Sequence, residues 1–327
     1  MADYSFDNAI GAEVVTMRHR GQPWRFPRQL AGRYEPESVL SRGGFGVLLT
    51  ARDRRVFDRK VLIKTGYLDE NELRVRNNAS IPGYVAAMRK RFGIERSCLL
   101  HGQMRGIDGI PVLIDAFIAP SPQIRGPHPT DQGDVLHEDP ACWKEVPYLV
   151  LSYFDGIPLD ESCQRKNSDI VKNPRGYGRF LGFYLSNILK EFHRTSSFNG
   201  QSLRFVYQDL KPSNILVSPV QKRCCLIDFG GMASCFGDNQ VVNPGVATDG
   251  YAPPEYYDHE IPDAERIKPV WDVFSLGATL KECFSLAGVA GDIGEAWSRF
   301  LARCTEADPK RRYLDMQQVS TALASLN

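Results

Sequence analysis

The spacing of apolar and polar positions changes near residue 155, from the alternation typical of strands to the three- and four-residue spacing typical of helices. From residue 33 the chain reads RYEPESVLSRGGFGVLLTARD and then VLIKTG, which predicts three strands joined by turns, with Lys64 near the end of the third. Further strands are predicted at 110–117, 148–151 and 224–227, and helices at 180–192, 271–284, 296–304 and 314–326. We therefore expect an α+β protein in which a small β-rich part precedes a larger, mainly helical part.

One helix is predicted inside the β-rich part, at 83–104. Its apolar face carries Val85, Met88, Phe92, Glu95 and Leu99. A carboxylate on an inward face needs a partner, and Lys64 is the natural partner of Glu95. Residues 89–91, Arg-Lys-Arg, are the local alternative.

Composition narrows the class of protein. With 327 residues, of which 43% are hydrophobic and 24% charged, the chain has ordinary globular composition and enough length for two units with proper cores. A formal net charge of +1 argues against a strong overall attraction to nucleic acid or acidic lipid, so neither partner is expected. The sequence has no apolar run of about 18 residues and no signal-peptide core, which favours a soluble, cytoplasmic protein.

The eight cysteines form no CxxC pair and have no regular spacing. Cys224 and Cys225 are adjacent in an apolar run, where neighbouring side chains point to opposite faces of a strand. We therefore expect buried free thiols rather than a zinc site or a disulfide framework, as in a reducing cytosol.

Two segments lie outside the regular pattern. Residues 1–32 form a basic extension in which Trp24 and Phe26 interleave with arginines, and we interpret it as a packed or docking arm in preference to a nucleic-acid site. Residues 119–146 form an inserted loop rich in Pro, Gly, Asp and His. His128 and His137 could bind a metal together with nearby acids, but their irregular spacing favours a solvated loop.

Residues 207–216, YQDLKPSNIL, carry the strongest candidate chemistry. Asp209 could accept a hydroxyl proton, Lys211 could contact a phosphoryl group, and Asn214 could offer an oxygen to a magnesium ion, which are the roles that phosphoryl transfer requires. Apolar residues on both sides predict a loop pinned between buried segments. Taken alone, a polar surface turn around Pro212 would explain the stretch equally well.

A glycine-rich hairpin precedes this loop, with Gly43, Gly44 and Gly46 allowing backbone amides to approach phosphate oxygens. The hairpin matches neither a P-loop nor a Rossmann glycine pattern, so both nucleotide sites are disfavoured. Lys64 follows the hairpin at a position suited to neutralising nucleotide phosphates.

In order along the chain, these segments resemble the eukaryotic-type (Hanks-type) serine/threonine protein kinase superfamily over residues 33–326. SRGGFGVL resembles the glycine-rich loop, VLIK the third-strand lysine motif, Glu95 the helix C glutamate, YQDLKPSN the catalytic loop, and DFG the magnesium-binding motif. ATDGY, PPE, DVFSLG and DPKRR resemble four later motifs. The resemblance implies a two-lobe protein kinase fold, with a small β-rich N-lobe containing helix C (33–155, with the insertion 119–146) and a larger, mainly helical C-lobe (156–327).

The resemblance also implies the roles of the site residues. Asp209, Lys211 and Asn214 would be catalytic, and Asn214 with Asp228 would hold Mg²⁺, with Mn²⁺ as an alternative. The residues implied to bind ATP are Ser41, Gly43, Gly44, Gly46, Leu48, Leu62, Lys64, Glu95, Leu151, Ser152, Phe154, Leu216 and Asp228. Lys211 together with Thr248 is the pattern of serine/threonine rather than tyrosine kinases.

Three further features follow from the same resemblance. Asp272 would brace the catalytic loop through its backbone, and Glu255 would form a buried pair with Arg312. Tyr207 replaces the histidine of the usual HRD sequence and would keep an aromatic ring against Phe229.

Several residues depart from the superfamily pattern. Ser41 stands at the first loop glycine, and Leu48 and Leu62 replace smaller residues around the adenine, so a tighter nucleotide pocket is expected. Gln208 replaces the arginine that pairs with a phosphate on the activation segment in many members. The catalytic loop is thus of the non-RD type, and we expect activity without phosphorylation of that segment.

The expected function is transfer of the γ-phosphate of ATP to serine or threonine hydroxyls of protein substrates. Two alternatives remain: a pseudokinase that serves as a nucleotide-binding scaffold, and a small-molecule kinase on the same fold. Regulation is expected from a separate partner or from the inserted segments. The oligomeric state is not indicated by the sequence.

Overall fold

The computed structural model describes residues 5–7, 14–43, 46–67, 81–124, 144–198, 200–218, 222–237, 240–245 and 247–326. The chain divides into two compact units. The first consists of Met1–Arg96 and Val112–Tyr153, and the second of Ser97–Pro111 and Phe154–Asn327. Both histidines of the predicted insertion, His128 and His137, lie outside the described residues.

The first unit is formed mainly by strands. They are Ser5–Asp7 (β1), Val14–His19 (β2), Gln22–Pro27 (β3), Tyr34–Arg42 (β4), Val47–Asp53 (β5), Arg59–Thr65 (β6), Leu113–Pro120 (β7), Gln123–Ile124 (β8) and Glu145–Ser152 (β9). The larger sheet is antiparallel, in the order β4-β5-β6-β9-β7, and the smaller has the order β1-β2-β3-β8. The three strands predicted between residues 33 and 65 are confirmed as β4, β5 and β6.

The two aromatic residues that interleave with arginines in the N-terminal extension are buried. Trp24 and Phe26 both lie on β3 and are 0% exposed, and the Trp24 ring packs edge-on against Tyr67 at 5.3 Å. Neither ring is available to stack on a base, which agrees with the interpretation of this segment as packed.

The helix predicted at 83–104 is confirmed as Ile81–Met104 (α1). Met88, Phe92 and Leu99 are buried on its inward face, and Glu95 lies among them with 2% exposure. The three- and four-residue spacing therefore identified the buried face correctly, including its carboxylate.

The strand predicted at 110–117 is wrong in its boundaries, since the observed strand is Leu113–Pro120. Ile110 is apolar because it packs in the second unit, where its Cδ1 occupies the space that a Cβ on Gly102 would need. Pro111 has no N–H to donate to a strand ladder. Apolar character at the start of this run thus reflects packing after a helix rather than strand pairing.

The second unit is mainly helical. Its helices are Leu159–Cys163 (α2), Asp169–Lys172 (α3), Pro174–His193 (α4), Asp263–Arg266 (α5), Pro269–Leu286 (α6), Gly294–Cys304 (α7) and Met316–Ala324 (α8). The four helices predicted in this half are confirmed as α4, α6, α7 and α8, with different ends. For example, α8 begins after Asp315, whose carboxylate accepts a hydrogen bond from Gln318 N at 2.8 Å and so caps the helix.

Helix α4 begins at Pro174 instead of residue 180 because its N-terminus is capped. Asn173 Oδ1 accepts a hydrogen bond from Gly176 N at 3.0 Å, and proline at the first helical position loses no hydrogen bond. Gly178, inside the helix, allows a close approach, since a Cβ there would lie 2.5 Å from Phe284 Cζ.

Short strands complete the second unit. They are Ile157–Pro158 (β10), Ser196–Phe198 (β11), Gln201–Val206 (β12), Ile215–Ser218 (β13), Arg223–Leu226 (β14), Ala233–Phe236 (β15) and Gln240–Val242 (β16). They form sheets of order β10-β13-β14 and β11-β12-β15-β16. Cys224 and Cys225 on β14 are buried free thiols, as expected, and burial raises the pKa of both to about 12. Within the described ranges, no helix combines the length and apolar character needed to cross a membrane.

Candidate active site

The loop between β12 and β13 carries the predicted catalytic residues. It ends in a tight 3-10 turn, Pro212–Asn214, whose proline occupies the first turn position. Val206 before the loop and Ile215 after it are both fully buried. The loop is therefore pinned at both ends, as the flanking apolar residues predicted.

Asp209 lies at the centre of a hydrogen-bond network. Thr248 Oγ1 donates to Asp209 Oδ1 at 2.6 Å, and Lys211 Nζ donates to Oδ2 at 2.9 Å. Lys211 Nζ also donates to Thr248 Oγ1 at 2.7 Å, which closes the ring of contacts. Asn214 Nδ2 donates to the Asp209 backbone oxygen at 2.8 Å. Asp209 as a whole is 8% exposed. Its carboxylate is held in one orientation by the side chains of Lys211, Asn214 and Thr248.

Asp272 on α6 holds the loop from behind. Its carboxylate accepts hydrogen bonds from Tyr207 N at 2.8 Å and Gln208 N at 2.9 Å, which confirms the predicted brace through the backbone. The same carboxylate contacts His193 Nε2 at 2.7 Å, so His193 is a structural residue. No sequence pattern predicted this partner, because the two residues lie 79 positions apart without a local signal that links them.

Gln208 is fully buried and has φ +70, in the left-handed region. Its Nε2 donates to Gly231 O at 2.7 Å and to Asn243 O at 3.2 Å, and its Oε1 accepts from Gly245 N at 2.9 Å. One side-chain amide thus binds backbone groups at both ends of the segment that follows Phe229. The substitution was visible in the sequence, but these partners were not.

The Asp228–Phe229–Gly230 segment follows β14. Asp228 has φ +62, and Ile227 N donates to Asn214 O at 2.9 Å, which ties this segment to the catalytic loop. Phe229 is buried with its ring 5.6 Å from that of Tyr207, in edge-on geometry. The expectation that Tyr207 keeps an aromatic contact with Phe229 is confirmed.

Asn214 and Asp228 are suited to hold a divalent cation. The Asn214 amide nitrogen is engaged by Asp209, so its oxygen is the group that remains for a ligand. An amide oxygen and a carboxylate are hard donors, which match Mg²⁺ or Mn²⁺ rather than a soft metal. The donor set therefore fits the implied cation.

The first unit contains the second group of predicted residues. Lys64 Nζ lies 2.7 Å from Glu95 Oε2 and 3.0 Å from Oε1, which confirms their predicted pairing. Leu48 is the cross-strand partner of Lys64, and Leu62 is the partner of Leu151. Partners in antiparallel strands share a face, so these side chains line one face of the larger sheet.

The remaining predicted nucleotide residues are placed as follows. Ser41 pairs with Leu48 across β4 and β5. Gly43 N donates to Gly46 O at 2.8 Å, and a Cβ on Gly46 would come within 2.6 Å of Thr65 O, so only glycine fits there. Gly44 lies outside the described residues.

The three predicted residues that remain are Ser152, at the end of the first unit, and Phe154 and Leu216, in the second. Ser152 ends β9, and its N–H already donates to Val112 O at 2.8 Å. Phe154 and Leu216 belong to the second unit, where Leu216 is half-buried on β13 opposite Cys225.

A buried ion pair supports the helical unit. Arg312 Nη1 and Nη2 each lie 2.7 Å from one Glu255 carboxylate oxygen, in a bidentate pair. Arg312 is 1% exposed and Glu255 is 9% exposed. The pairing predicted from the sequence is confirmed.

Comparison with known proteins agrees with this geometry. The protein kinase domain family matches residues 144–321, more than half of the chain. The chain is 24% identical to serine/threonine-protein kinase PknG of Mycobacterium leprae, over 97% of its own length and 37% of the relative. It is 24% identical to serine/threonine-protein kinase F of Synechocystis, over 78% of its own length and 44% of that protein. It is 25% identical to PknG of Mycolicibacterium smegmatis, over 93% of its own length and 35% of that protein. The chain thus spans less than half the length of these relatives.

Three observations point to the same family. They are the ordered set of kinase motifs, the hydrogen-bond network centred on Asp209, and the family match over most of the helical unit. The chain belongs to the protein kinase domain family, within the eukaryotic-type (Hanks-type) serine/threonine superfamily.

Proposed function

We propose that the chain is an active ATP-dependent serine/threonine protein kinase. The observation that carries this proposal is the network in which Asp209, Lys211 and Thr248 lie within 2.9 Å of one another. The Thr248 hydroxyl marks where an alcohol oxygen can sit between a proton-accepting carboxylate and an ammonium. A substrate serine or threonine hydroxyl bound in the same manner would be positioned for transfer.

In this proposal Asp209 orients the substrate hydroxyl and accepts its proton as the oxygen bonds to the γ-phosphorus, whose bond to the bridging oxygen breaks. Lys211 lies beside the acceptor and neutralises the negative charge that develops during transfer. Asp272 and Asn214 keep the loop in position through the hydrogen bonds described above.

The first unit supplies the groups proposed to bind ATP. Lys64, oriented by Glu95, would neutralise the α- and β-phosphates, and helix α1 would act as helix C. The sheet face that carries Leu48, Leu62 and Leu151 would contact the adenine. Because the first two are larger than usual for the superfamily, this apolar pocket would be tight.

Asn214 and Asp228 would hold the cation, for which we propose Mg²⁺. When bound, ATP supplies the transferred phosphoryl group and the cation offsets the charge on its phosphates. These two residues alone would leave Mg²⁺ free to bind phosphate oxygens and water as well, as this ion prefers.

We further propose that activity does not require phosphorylation of the activation segment. Gln208 takes the place of the phosphate-binding arginine, and its amide hydrogen bonds to Gly231, Asn243 and Gly245 support this proposal. A neutral amide bound to backbone groups needs no added charge to hold the segment.

Phosphoryl transfer is the decisive measurement. Purified protein is incubated with γ-labelled ATP and Mg²⁺, with and without a generic serine/threonine protein substrate. The matched variants are Asp209→Asn, which keeps the shape of the side chain, and Lys64→Ala. We expect labelled protein with wild type only, and retained nucleotide binding in Asp209→Asn.

Each other result would contradict the proposal in a different way. Nucleotide binding without transfer would support the pseudokinase. Transfer only to a small-molecule pool would support a small-molecule kinase. Near-normal transfer by Asp209→Asn would remove the assigned role of that residue.

Phosphatase treatment tests the regulatory part. We expect treated protein to keep its kcat/KM toward the same substrate. A large loss that incubation with ATP restores would show that a phosphate is required.

A further inference from the structure

The second unit contains a groove beside the end of β13 and the start of β14. Its cavity volume is about 480 Å³, and residues of α2, α3, α4, β13 and β14, with their connections, line it. None of the residues assigned above to catalysis or cation binding contributes to this lining. The volume far exceeds the space of a single phosphate or sulfate ion and suits several side chains.

The floor of the groove is apolar. Tyr177 and Phe180 lie on α4 with ring centroids 5.9 Å apart, and both are half-buried. Val217 on β13 and Cys224 on β14 complete the floor and are 4% and 1% exposed. Such a floor can accept a large apolar side chain with little loss of rotamer freedom on the protein side.

The rim of the groove is basic. Arg165, Lys172, Lys222 and Arg223 line it, whereas Asp169 is the one carboxylate among the described lining residues. Arg223 is paired with Asp108 at 2.7 Å. The other three cations are exposed.

These three cations form no ion pair with a carboxylate in the part of the chain that the structure describes. Because the formal net charge of the whole chain is only +1, the positive charge of this rim is a local feature. Its complement is a segment rich in aspartate and glutamate.

We propose that this groove docks an acidic, extended segment of a protein substrate, with one large apolar side chain on the floor and carboxylates on the rim. The proposal rests on the proposed kinase function, since it names where the substrate is held. A basic peptide would be repelled by the rim. A nucleic acid would also match the charge of the rim, but a formal net charge of only +1 gives the chain little overall attraction to a polyanion, and the oligothymidine measurement below tests this occupant.

The groove also sets a distance to the reacting group. Asn214 of the catalytic loop is followed directly by β13, and Val217 and Ser218 at the end of that strand line the groove. Four residues at about 3.3 Å each correspond to about 13 Å. An extended linker therefore needs at least about four residues between the docked segment and the phosphorylated hydroxyl.

Binding is tested first, with the whole wild-type chain and a probe that carries no serine, threonine or tyrosine and so cannot be phosphorylated. The probe is the fluorescein-labelled decapeptide EDDLEFDEDE, measured by fluorescence anisotropy. The groove variant is Arg165→Glu/Lys172→Glu, and the matched control, Arg194→Glu/Lys310→Glu, reverses one arginine and one lysine elsewhere in the same unit. Arg194 and Lys310 are both exposed.

We expect the groove variant to raise the Kd of the probe about tenfold or more, because two cations of the rim become carboxylates that repel the acidic probe. The control should change the Kd less than about twofold, because neither of its residues lines the groove. Binding should weaken from 50 to 500 mM salt, and replacing the apolar pair of the probe with glycine should weaken it further. Equal effects of the two variants, or equal binding of the probe with every acid changed to lysine, would overturn the proposal. So would tighter binding of a labelled twelve-residue oligothymidine that Arg165→Glu/Lys172→Glu abolishes.

The substrate role is tested with wild-type protein and an acceptor peptide joined to the same acidic segment. We expect a ten-residue Gly/Ser linker to lower KM at least fivefold relative to a two-residue linker, with kcat unchanged, because only the longer linker spans the distance. Equal KM values for the two linkers would refute docking of the substrate. Absence of transfer to every peptide would instead overturn the kinase function, while the anisotropy result would still decide what the groove binds.

Discussion

Replacing Gln208 tests how the segment from Gly231 to Gly245 is held. The side chain is 0% exposed and makes three hydrogen bonds to the backbone, two as donor through Nε2 and one as acceptor through Oε1. Gln208→Ala removes all three and leaves a small cavity. Gln208→Glu keeps the shape and the acceptor for Gly245 N, but it places a carboxylate oxygen against the carbonyls of Gly231 and Asn243.

The magnitude follows from the burial of the three backbone groups. Gly231 is buried, so its unpaired carbonyl costs about 1–3 kcal/mol, whereas Asn243 and Gly245 are half-buried and can bond to water at little cost. With the lost packing of the side chain, Gln208→Ala should destabilise the ordered segment by about 2–3 kcal/mol. At about 1.4 kcal/mol for each factor of ten, that is a change of roughly 30- to 150-fold in its ordering equilibrium.

Two measurements report this change. We expect kcat/KM toward a protein substrate to fall at least about tenfold in Gln208→Ala, with the larger loss in Gln208→Glu. Hydrogen exchange of the described residues from 231 to 245 should accelerate, because their opening free energy falls. ATP affinity should stay the same, because the substitution does not touch Lys64, which is proposed to bind the phosphates, or its partner Glu95.

Gln317→Ala is the matched control, because Gln317 is exposed on α8 and the same atoms are removed. Normal kcat/KM in Gln208→Ala, together with unchanged exchange of residues 231–245, would refute the reasoning. A loss of activity without faster exchange would assign Gln208 another role.

Three further predictions concern the helical unit. Arg312→Met should lower the free energy of unfolding by about 3–5 kcal/mol in urea titration, because it leaves the Glu255 carboxylate buried without its partner. Adding Glu255→Gln should recover part of this loss, and strict additivity of the two changes would contradict the pairing. The pKa of His101 is lowered, chiefly by burial and secondarily by Arg105, so the unfolded state binds more protons below about pH 6.5 and stability falls as the pH drops toward the folded-state pKa. His101→Phe should show a smaller fall in Tm between pH 7.5 and 5.5 than wild type, and an equal fall would contradict this assignment. Thr248→Val should reduce kcat at least about tenfold while Thr248→Ser retains most of it, because only the hydroxyl bonds to the Asp209 carboxylate and the Lys211 ammonium. Similar rates for both variants would show that the hydroxyl is dispensable.

The sequence determined the elements and pairings that depend on local spacing or on ordered motifs. Helical periodicity placed Glu95 inward and so identified its pairing with Lys64. Motif order identified the brace from Asp272 and the pair of Glu255 with Arg312. These features were predictable because each is set by residues close together in the chain or by a motif with one known arrangement.

Tertiary structure alone decided the contacts that join distant residues without a local pattern. The sequence predicts Ile110 in a strand because an apolar side chain has the same pattern whether it pairs in a sheet or packs against a helix. Only its contact beside Gly102 separates the two. The three partners of Gln208 lie 23 to 37 positions away, and the basic groove combines residues from separate helices and strands. Such contacts arise when the chain folds back on itself, so spacing along the sequence carries no record of them.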